Sequence, residues 1–298
     1  MPLRHDMRRG ALLMLGATAS FALMGVFVKM LSARYSFLEL MFFRNALSLP
    51  IVLAAGLRSG ALLRTRRFGG HVVRAVSGLL GMGCAFFALA LLPLAEQTAL
   101  NYTQPLFIIL LAIPWLGERP GPARWAAVLI GFLGVVVIAA GQGIGQGAGS
   151  AGMSHALVLG CVVGALGGFF GALSTMLVRQ LSATEASTTI VLWQALLMAA
   201  MTALALPFVW ITPGWGDLGL MVLVGLIGGM GQVLNTEAFA SAQVSSLGPY
   251  TYTGLLWAGL LGWMVWGEAP GIAMLAGSAL IVGAGIVVLR SEYRRRAR

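Results

Sequence analysis

Ten stretches of about twenty residues in this chain are apolar on every side, and that pattern leaves few folds open. They run at roughly 10–31, 36–57, 74–92, 98–116, 125–141, 155–177, 187–209, 218–240, 249–266 and 272–289. At about 1.5 Å of rise per residue, a helix of that length crosses about 30 Å of hydrocarbon. None has a face polar enough to want water, unlike the one-sided helices around a soluble core. Alternating segments of about ten residues, the mark of a membrane barrel, are not visible. The pattern predicts an all-α polytopic membrane protein with ten transmembrane helices. Composition agrees: charged residues are 9% of the chain, against roughly 25% in soluble domains, and mean hydropathy is +0.90.

Lys and Arg number 19 against nine Asp and Glu, a balance that would suit nucleic acid. Basic residues also collect in the cytoplasmic loops of membrane proteins and orient the helices. An even number of spans puts both ends of the chain on one side. The segments on that side carry Arg4, Arg8 and Arg9; Arg58, Arg64, Arg66, Arg67 and Arg74; Arg119 and Arg124; Arg179; and Arg290, Arg294, Arg295, Arg296 and Arg298. Only Lys29 and Arg34 lie near the other side, with Arg44 inside the second span. The termini are therefore expected in the cytoplasm, and the partner is the lipid bilayer rather than nucleic acid. Arg4, Arg8 and Arg9 ahead of Gly10–Val28 look like a signal peptide, but the apolar stretch is long and a similar one recurs after residue 155, so it reads as a retained span. Cys84 and Cys161 fall inside apolar runs and read as small core residues, without a disulfide or a metal.

The chain also repeats. Tyr102-Thr103 returns 150 positions later as Tyr252-Thr253, and Gly117-Glu118-Arg119-Pro120-Gly121 returns as Gly267-Glu268-Ala269-Pro270-Gly271. The same shift aligns Lys29 with Arg179, Gly78 with Gly228 and Gly81 with Gly231. The uncharged stretch 142–154 reads as a flexible linker between a first repeat, 1–141, and a second, 155–298 with its basic tail. Five spans per repeat is an odd number, so the second copy is expected upside down, the five-plus-five inverted arrangement through which transporters open one site to either side in turn. Gly160, Gly164 and Gly168, and Gly225 and Gly229, have the spacing that lets helices approach closely in lipid.

Together, the ten spans in two repeats, the basic residue ending span one, Arg44 in span two, and Tyr-Thr…Pro…Gly-Glu-x-Pro across span four resemble the EamA family of the drug/metabolite transporter superfamily. The resemblance covers the full chain and is most like bacterial inner-membrane exporters of amino acids, including aromatic ones. It implies a basket of helices around a central cavity and export of a small metabolite by alternating access. Two features depart from symmetry: Leu255 replaces Pro105, and Gln194 replaces Arg44.

Candidate substrate-binding residues follow from polar faces within apolar helices. On span four, Gln97, Thr98, Asn101, Gln104 and Pro105 share an arc of about 120°, with Tyr102 at its edge. Pro105 cannot donate to the Asn101 carbonyl, which leaves that oxygen free for a ligand. Span eight puts Gln232 and Asn235 on one face with Gly228, Gly231 and Phe239; span nine, opening on Pro249, adds Tyr250, Thr253 and Trp257. Each is open to a second reading, as helix glue or aromatic packing. Among ionisable groups, Lys29 either snorkels or gates. Arg44 serves a substrate carboxylate, a gate or a structural pair, with Glu39 the nearest acid in sequence. Glu237 is a candidate proton carrier, and Glu118 and Glu268 read as turn-fixing groups. Trp210 and Trp215 read as interfacial anchors, with Trp115 and Trp266 as further candidates.

His5, His71 and His155 are expected at membrane boundaries or tails, so no catalytic pair sits in the bilayer. Nucleotide, metalloprotease and dinucleotide motifs are missing from the sequence. No cofactor is implied, transport draws on an ion or solute gradient, and the chain reads as no enzyme. A multidrug or other-metabolite exporter is the alternative within transport, and a non-transporting scaffold the alternative outside it. Oligomeric state is left open, a monomer being compatible.

Overall fold

The computed structural model describes residues 7–58, 65–116, 121–144, 151–181, 184–185, 187–241, 247 and 250–296. Among these residues there are no strands. Eleven helices follow in order: α1 Met7–Leu31, α2 Phe37–Arg58, α3 Phe68–Leu91, α4 Leu94–Asn101, α5 Gln104–Leu116, α6 Pro122–Ile144, α7 Ala151–Leu181, α8 Ser187–Val209, α9 Trp215–Ser241, α10 Thr253–Trp266 and α11 Ile272–Arg296. Six of them (α1, α2, α3, α7, α8 and α9) are long and apolar enough to cross a membrane, and shorter apolar helices lie within α6, α10 and α11. The protein is a multi-pass membrane protein.

Two boundaries differ from the sequence expectation. Helix α3 starts at Phe68 and takes in His71 and Arg74, both buried rather than at a membrane boundary or in a loop. A hydropathy window stops at a charge; the long Arg74 side chain instead reaches across to donate to the Ile190 carbonyl at 3.4 Å. Of the expected linker, residues 145–150 lie outside the described residues, while α6 runs to Ile144 and α7 starts at Ala151.

The fourth span, expected to be continuous, is broken into α4 and α5. At the break the Tyr102 and Thr103 N–H groups donate to Ala99 and Leu100, each at 3.0 Å, tightening the last turn. The Thr103 hydroxyl also donates to the Leu100 carbonyl at 2.7 Å. The second copy turns at Tyr252, where the Thr253 hydroxyl donates to the Tyr250 carbonyl at 2.6 Å. No proline stands there, so the feature common to both breaks is the threonine hydroxyl competing for a backbone carbonyl, and Pro105 adds to it in one copy only.

Helix partners obey the 150-residue shift. A Cβ at Gly81 would meet the Gly171 backbone at 3.3 Å, and one at Gly231 would meet Phe21, the position that shifts onto 171, at 3.0 Å. Gly78 faces Ser174 and Gln194; Gly228 faces Met24 and Arg44, their counterparts. Pairing is antiparallel. Gly16 of α1 lies against Leu234 of α9, while Arg34 and Tyr35, past the end of α1, reach Asp217 in the first turn of α9. Gly70 at the start of α3 meets Leu181 at the end of α7, and Gly160 near the start of α7 meets Leu92 beyond the end of α3. Thus α1 runs from the face where it begins, the near face, to the far face. Its counterpart α7 runs the opposite way, which is the inverted relation the odd span count predicts.

The expected close glycine contacts are present. Gly164 and Gly168 meet Leu100 and Thr103, and Gly225 and Gly229 meet Leu47 and Ser48 of α2. Where α6 crosses α11, a Cβ at Gly134 would lie 2.6 Å from the Gly277 carbonyl. Gly277→Val should force the two backbones apart and cost about 1–3 kcal/mol, seen as a lower thermal unfolding temperature in detergent. Gly283→Ala, with nothing within 4 Å of its Cβ, should leave that temperature unchanged or raise it, since Ala is the better helix former.

Candidate functional site

The break at Tyr102 sits where the two copies meet. The Tyr102 and Tyr252 rings pack edge to face with centroids 5.0 Å apart. The Tyr102 hydroxyl passes over Gly254, where a Cβ would lie 2.5 Å from it, and donates to the Thr251 carbonyl at 2.7 Å. Beside the crossing lies a cavity of about 300 Å³. Its polar lining is Thr18 of α1, Arg44 of α2, Gln97, Thr98 and Asn101 of α4, and Tyr102; its apolar walls include Phe21, Met24, Met82, Phe86 and Leu89. All the lining residues except Gly254 come from the first half. A pocket shared evenly between the halves is therefore not what forms. Two larger hollows are grooves between helices lined almost wholly by apolar groups, which suits lipid.

The Thr98 hydroxyl donates to the Leu94 carbonyl and the Thr18 hydroxyl to that of Leu15, so both protons are taken. The Arg44 Nε and the Gln97 side-chain nitrogen are buried without a partner among the described residues. The cavity floor thus offers unengaged donors, and the walls offer rings and thioethers.

Beyond Leu94 the far end is closed by a cluster of charges. Gly267 takes a left-handed turn (φ 67°), its N–H donating to Trp263 at 2.9 Å and that of Glu268 to Gly262 at 3.3 Å, an αL stop to α10. The reversal aims the Glu268 side chain back into the fold. One oxygen pairs with the Lys29 ammonium; the other accepts the Leu94 N–H at 3.1 Å, in the first turn of α4. Lys29 also donates to the Leu92 carbonyl at 3.0 Å and lies 4.9 Å from the centre of the Trp266 ring. A carboxylate at a helix N-terminus satisfies an orphan amide and meets the positive end of the helix dipole. Here the carboxylate comes from the second copy and the helix from the first.

Of the span-four residues expected to line a site, Asn101 and Tyr102 do, with Gln97 and Thr98 beside them. Gln104 and Pro105 do not, because the turn at Tyr102-Thr103 redirects the chain; Gln104 donates to the Thr175 hydroxyl at 2.8 Å and packs on Gly171 of α7. Gln232 and Asn235 lie on α9 and are not in the lining. Tyr250 packs with Met14, Ala238 and Leu247. Thr253 approaches the cavity through its 3.0 Å contact with the Thr18 hydroxyl, and the Trp257 ring nitrogen is buried without a described partner.

Among the ionic residues, Glu39 does not pair with Arg44. Five residues along a helix is about 140° around it, and Glu39 instead accepts the Ile211 N–H at 3.2 Å. Lys29 does not snorkel; it is ion-paired. Glu268 fixes an amide of a distant helix rather than only its own turn, and Trp266 packs in the core beside Lys29 rather than anchoring at the interface. Trp115, Trp210 and Trp215 are exposed, as anchors would be. Glu237 lies 3.7 Å from Arg9, with both side chains more than half exposed. Glu118, Pro249 and the Phe239 side chain lie outside the described residues. At the far face, the hydrogen bond to Asp217 holds the Tyr35 phenol above its ordinary pKa.

The EamA-like transporter family model matches this chain twice, at residues 8–140 and 158–290. The chain belongs to the EamA-like transporter family. The two matches begin 150 residues apart, the period read from the Tyr-Thr and Gly-Glu motifs. Similar family members include the pseudopaline exporter of Pseudomonas aeruginosa, 30% identical, with 96% of this chain and 98% of that one aligned. The riboflavin transporter of Rhizobium johnstonii is 32% identical over 96% and 92% of the two chains. An S-adenosylmethionine uptake transporter of Rickettsia bellii is 24% identical over 90% and 89%. A crystal structure of a protein 26% identical superposes with a TM-score of 0.62 over 95% of this chain and 97% of the other. Family membership makes the protein a transporter of the drug/metabolite superfamily and not an enzyme, with a small molecule as its substrate.

The Lys29–Glu268 pair is largely shielded, at 16% and 21% side-chain exposure. In a double-mutant cycle of Lys29→Met and Glu268→Gln, followed by thermal unfolding in detergent, the coupling should reach about 0.5–3 kcal/mol. The exposed Arg9–Glu237 pair should show about 1 kcal/mol or less in the same experiment.

Proposed function

We propose that this transporter carries a small amphipathic metabolite out of the cell across a bacterial inner membrane, by alternating access and without a nucleotide. Ten spans, with the broken α4–α5 pair and α10 as the fourth and ninth, form two repeats joined through 142–154. The basic residues that the sequence gathers in the segments on the side of the termini support a cytoplasmic location for both ends. The observation that carries the reading is the cavity beside the Tyr102–Tyr252 crossing, where the broken helices of two inverted copies meet. Broken helices at a repeat interface are where secondary transporters hold their solutes. At about 300 Å³ the cavity lies at the small end of ligand pockets, which span roughly 300–1,000 Å³. Asn101, Tyr102, Gln97 and Thr98 supply its polar contacts; Thr253 and Trp257 of α10 and Gln232 and Asn235 of α9 join the path in another conformation. The Lys29–Glu268 pair acts as the gate on the far side.

The named relatives carry pseudopaline, riboflavin and S-adenosylmethionine, one by export and one by uptake. The amino-acid class and the outward direction rest on the sequence resemblance, and a wider panel has to include all of these chemistries. In proteoliposomes, counterflow of labelled amino acids, riboflavin and S-adenosylmethionine, with and without a pH gradient, identifies the solute and the coupling. For whichever solute exchanges, Asn101→Ala and Tyr102→Phe should lower the initial rate roughly tenfold, about 1.4 kcal/mol. Gln104→Ala, which faces α7, should stay within about twofold of the parent, less than 0.5 kcal/mol. Equal losses at all three positions, or a catalogue of solutes that never exchange, would remove the reading.

A further inference from the structure

We infer that the cavity is built for a carboxylate-bearing solute and that Arg44 holds the carboxylate. The inference deepens the transport reading and rests on it. Arg44 sits seven residues into α2, about 10 Å along its axis from the far end. A guanidinium has five N–H donors; among the described residues one hydrogen bond engages them, from Nη1 to the Asn45 side-chain oxygen at 3.0 Å. Nε is buried and without a partner among the described residues. No described carboxylate lies within 4 Å of it, Glu39 being held by the Ile211 amide. A positive charge within a membrane helix is costly even by the mildest scale, and a charge kept there without a counter-charge is a site waiting for one.

The surroundings point the same way. Arg44 is the one ionisable group in the polar lining besides the Tyr102 phenol, whose proton is committed to the Thr251 carbonyl. The Gln97 amide nitrogen is an unengaged donor, and Asn101 lies one turn further along α4 on the same cavity wall. Amide donors around a fork of N–H groups fit two carboxylate oxygens. Opposite them Phe21, Met24, Met82 and Phe86 form an apolar wall for the rest of the solute. The shift of 150 puts Gln194 at the equivalent place in the second half, beside Gly78 as Arg44 is beside Gly228. The positive anchor is therefore one-sided, and the solute binds with its acid toward α2.

The test uses full-length purified protein in nanodiscs and two matched probe pairs: 3-phenylpropionate with 3-phenylpropanamide, and L-phenylalanine with L-phenylalaninamide. Thermal unfolding is followed as each is titrated. The acids should raise the unfolding temperature of the parent at concentrations at least roughly tenfold lower than their amides do, since one charge-assisted contact separates them. Arg44→Gln should erase the difference, and Arg44→Lys, which keeps the charge but not the fork, should retain part of it. If Arg44→Gln does not fold, Gln97→Leu, which leaves the guanidinium in place, should weaken the acids and leave the amides unchanged. Acids and amides acting alike, acid binding that survives Arg44→Gln, or no response to either acid would each overturn the assignment. Counterflow separates this outcome from the transport reading: solute exchange indifferent to Arg44 keeps transport and removes the anchor, whereas acid binding through Arg44 without any exchange keeps the anchor and removes transport.

Discussion

A break in a membrane helix survives only where its freed carbonyls meet protein or a wet cavity, because lipid offers them nothing. The rest of this structure follows from how two such breaks are satisfied. Each Tyr-Thr pair turns its own hydroxyl back on the preceding turn, Thr103 to Leu100 and Thr253 to Tyr250. The Tyr102 phenol then takes up the Thr251 carbonyl of the other copy. The breaks therefore have to be buried against each other, and their meeting point fixes where the repeats cross. Gly254 is needed there because the Tyr102 hydroxyl occupies the space a side chain would fill. A cavity beside that crossing is a consequence of helices that stop short.

The far-face charges depend on the same arrangement. Glu268 can reach Lys29 and the Leu94 amide only because α10 ends in a left-handed turn and lies against α1 and α4. The pair is specific to one packing of the two copies: moving α10 away from α4 strips the carboxylate of its amide and leaves the lysine only the Leu92 carbonyl. Breaking it costs desolvation as well as attraction, unless water enters the opening and solvates both groups. That coupling between water entry and charge separation is what a gate requires. A surface pair such as Arg9–Glu237, half in water already, has no comparable dependence on conformation.

Much of this was readable in the sequence, and the failures have a common cause. The all-helical membrane-spanning character, the period of 150 and the inversion follow from apolar length and motif spacing, which are local or counting properties. That Asn101 and Tyr102 line a cavity was legible because polar residues in an apolar helix must face something polar. The Lys29–Glu268 contact was not, although Lys29 aligns with Arg179 and Glu268 with Glu118 under the same shift that aligns the tyrosines. Nothing in linear order says that the end of span one lies against the end of span nine. Gln104 and Pro105 were misplaced because the polar arc was drawn on an unbroken helix, and the threonine that breaks it looks ordinary in sequence. The cavity's apolar wall, Phe21 to Phe86, carries no signal at all, since these residues would serve equally well in any core.

The two copies agree in frame and disagree in chemistry, and the disagreement is informative. Glycine contacts recur at matched positions in both halves, so the two copies share one packing frame. The cavity lining recurs only in part: Tyr102 answers to Tyr252, but Arg44 answers to Gln194, and the cavity draws on the first half almost alone. A symmetric frame with a symmetric site would hold a solute equally well in two opposed orientations. Placing the charge in one half removes that degeneracy, and under the transport reading proposed above it gives the solute one orientation. In that reading symmetry serves the motion and its loss serves recognition, with α2 and α4 carrying the polar side of the cavity.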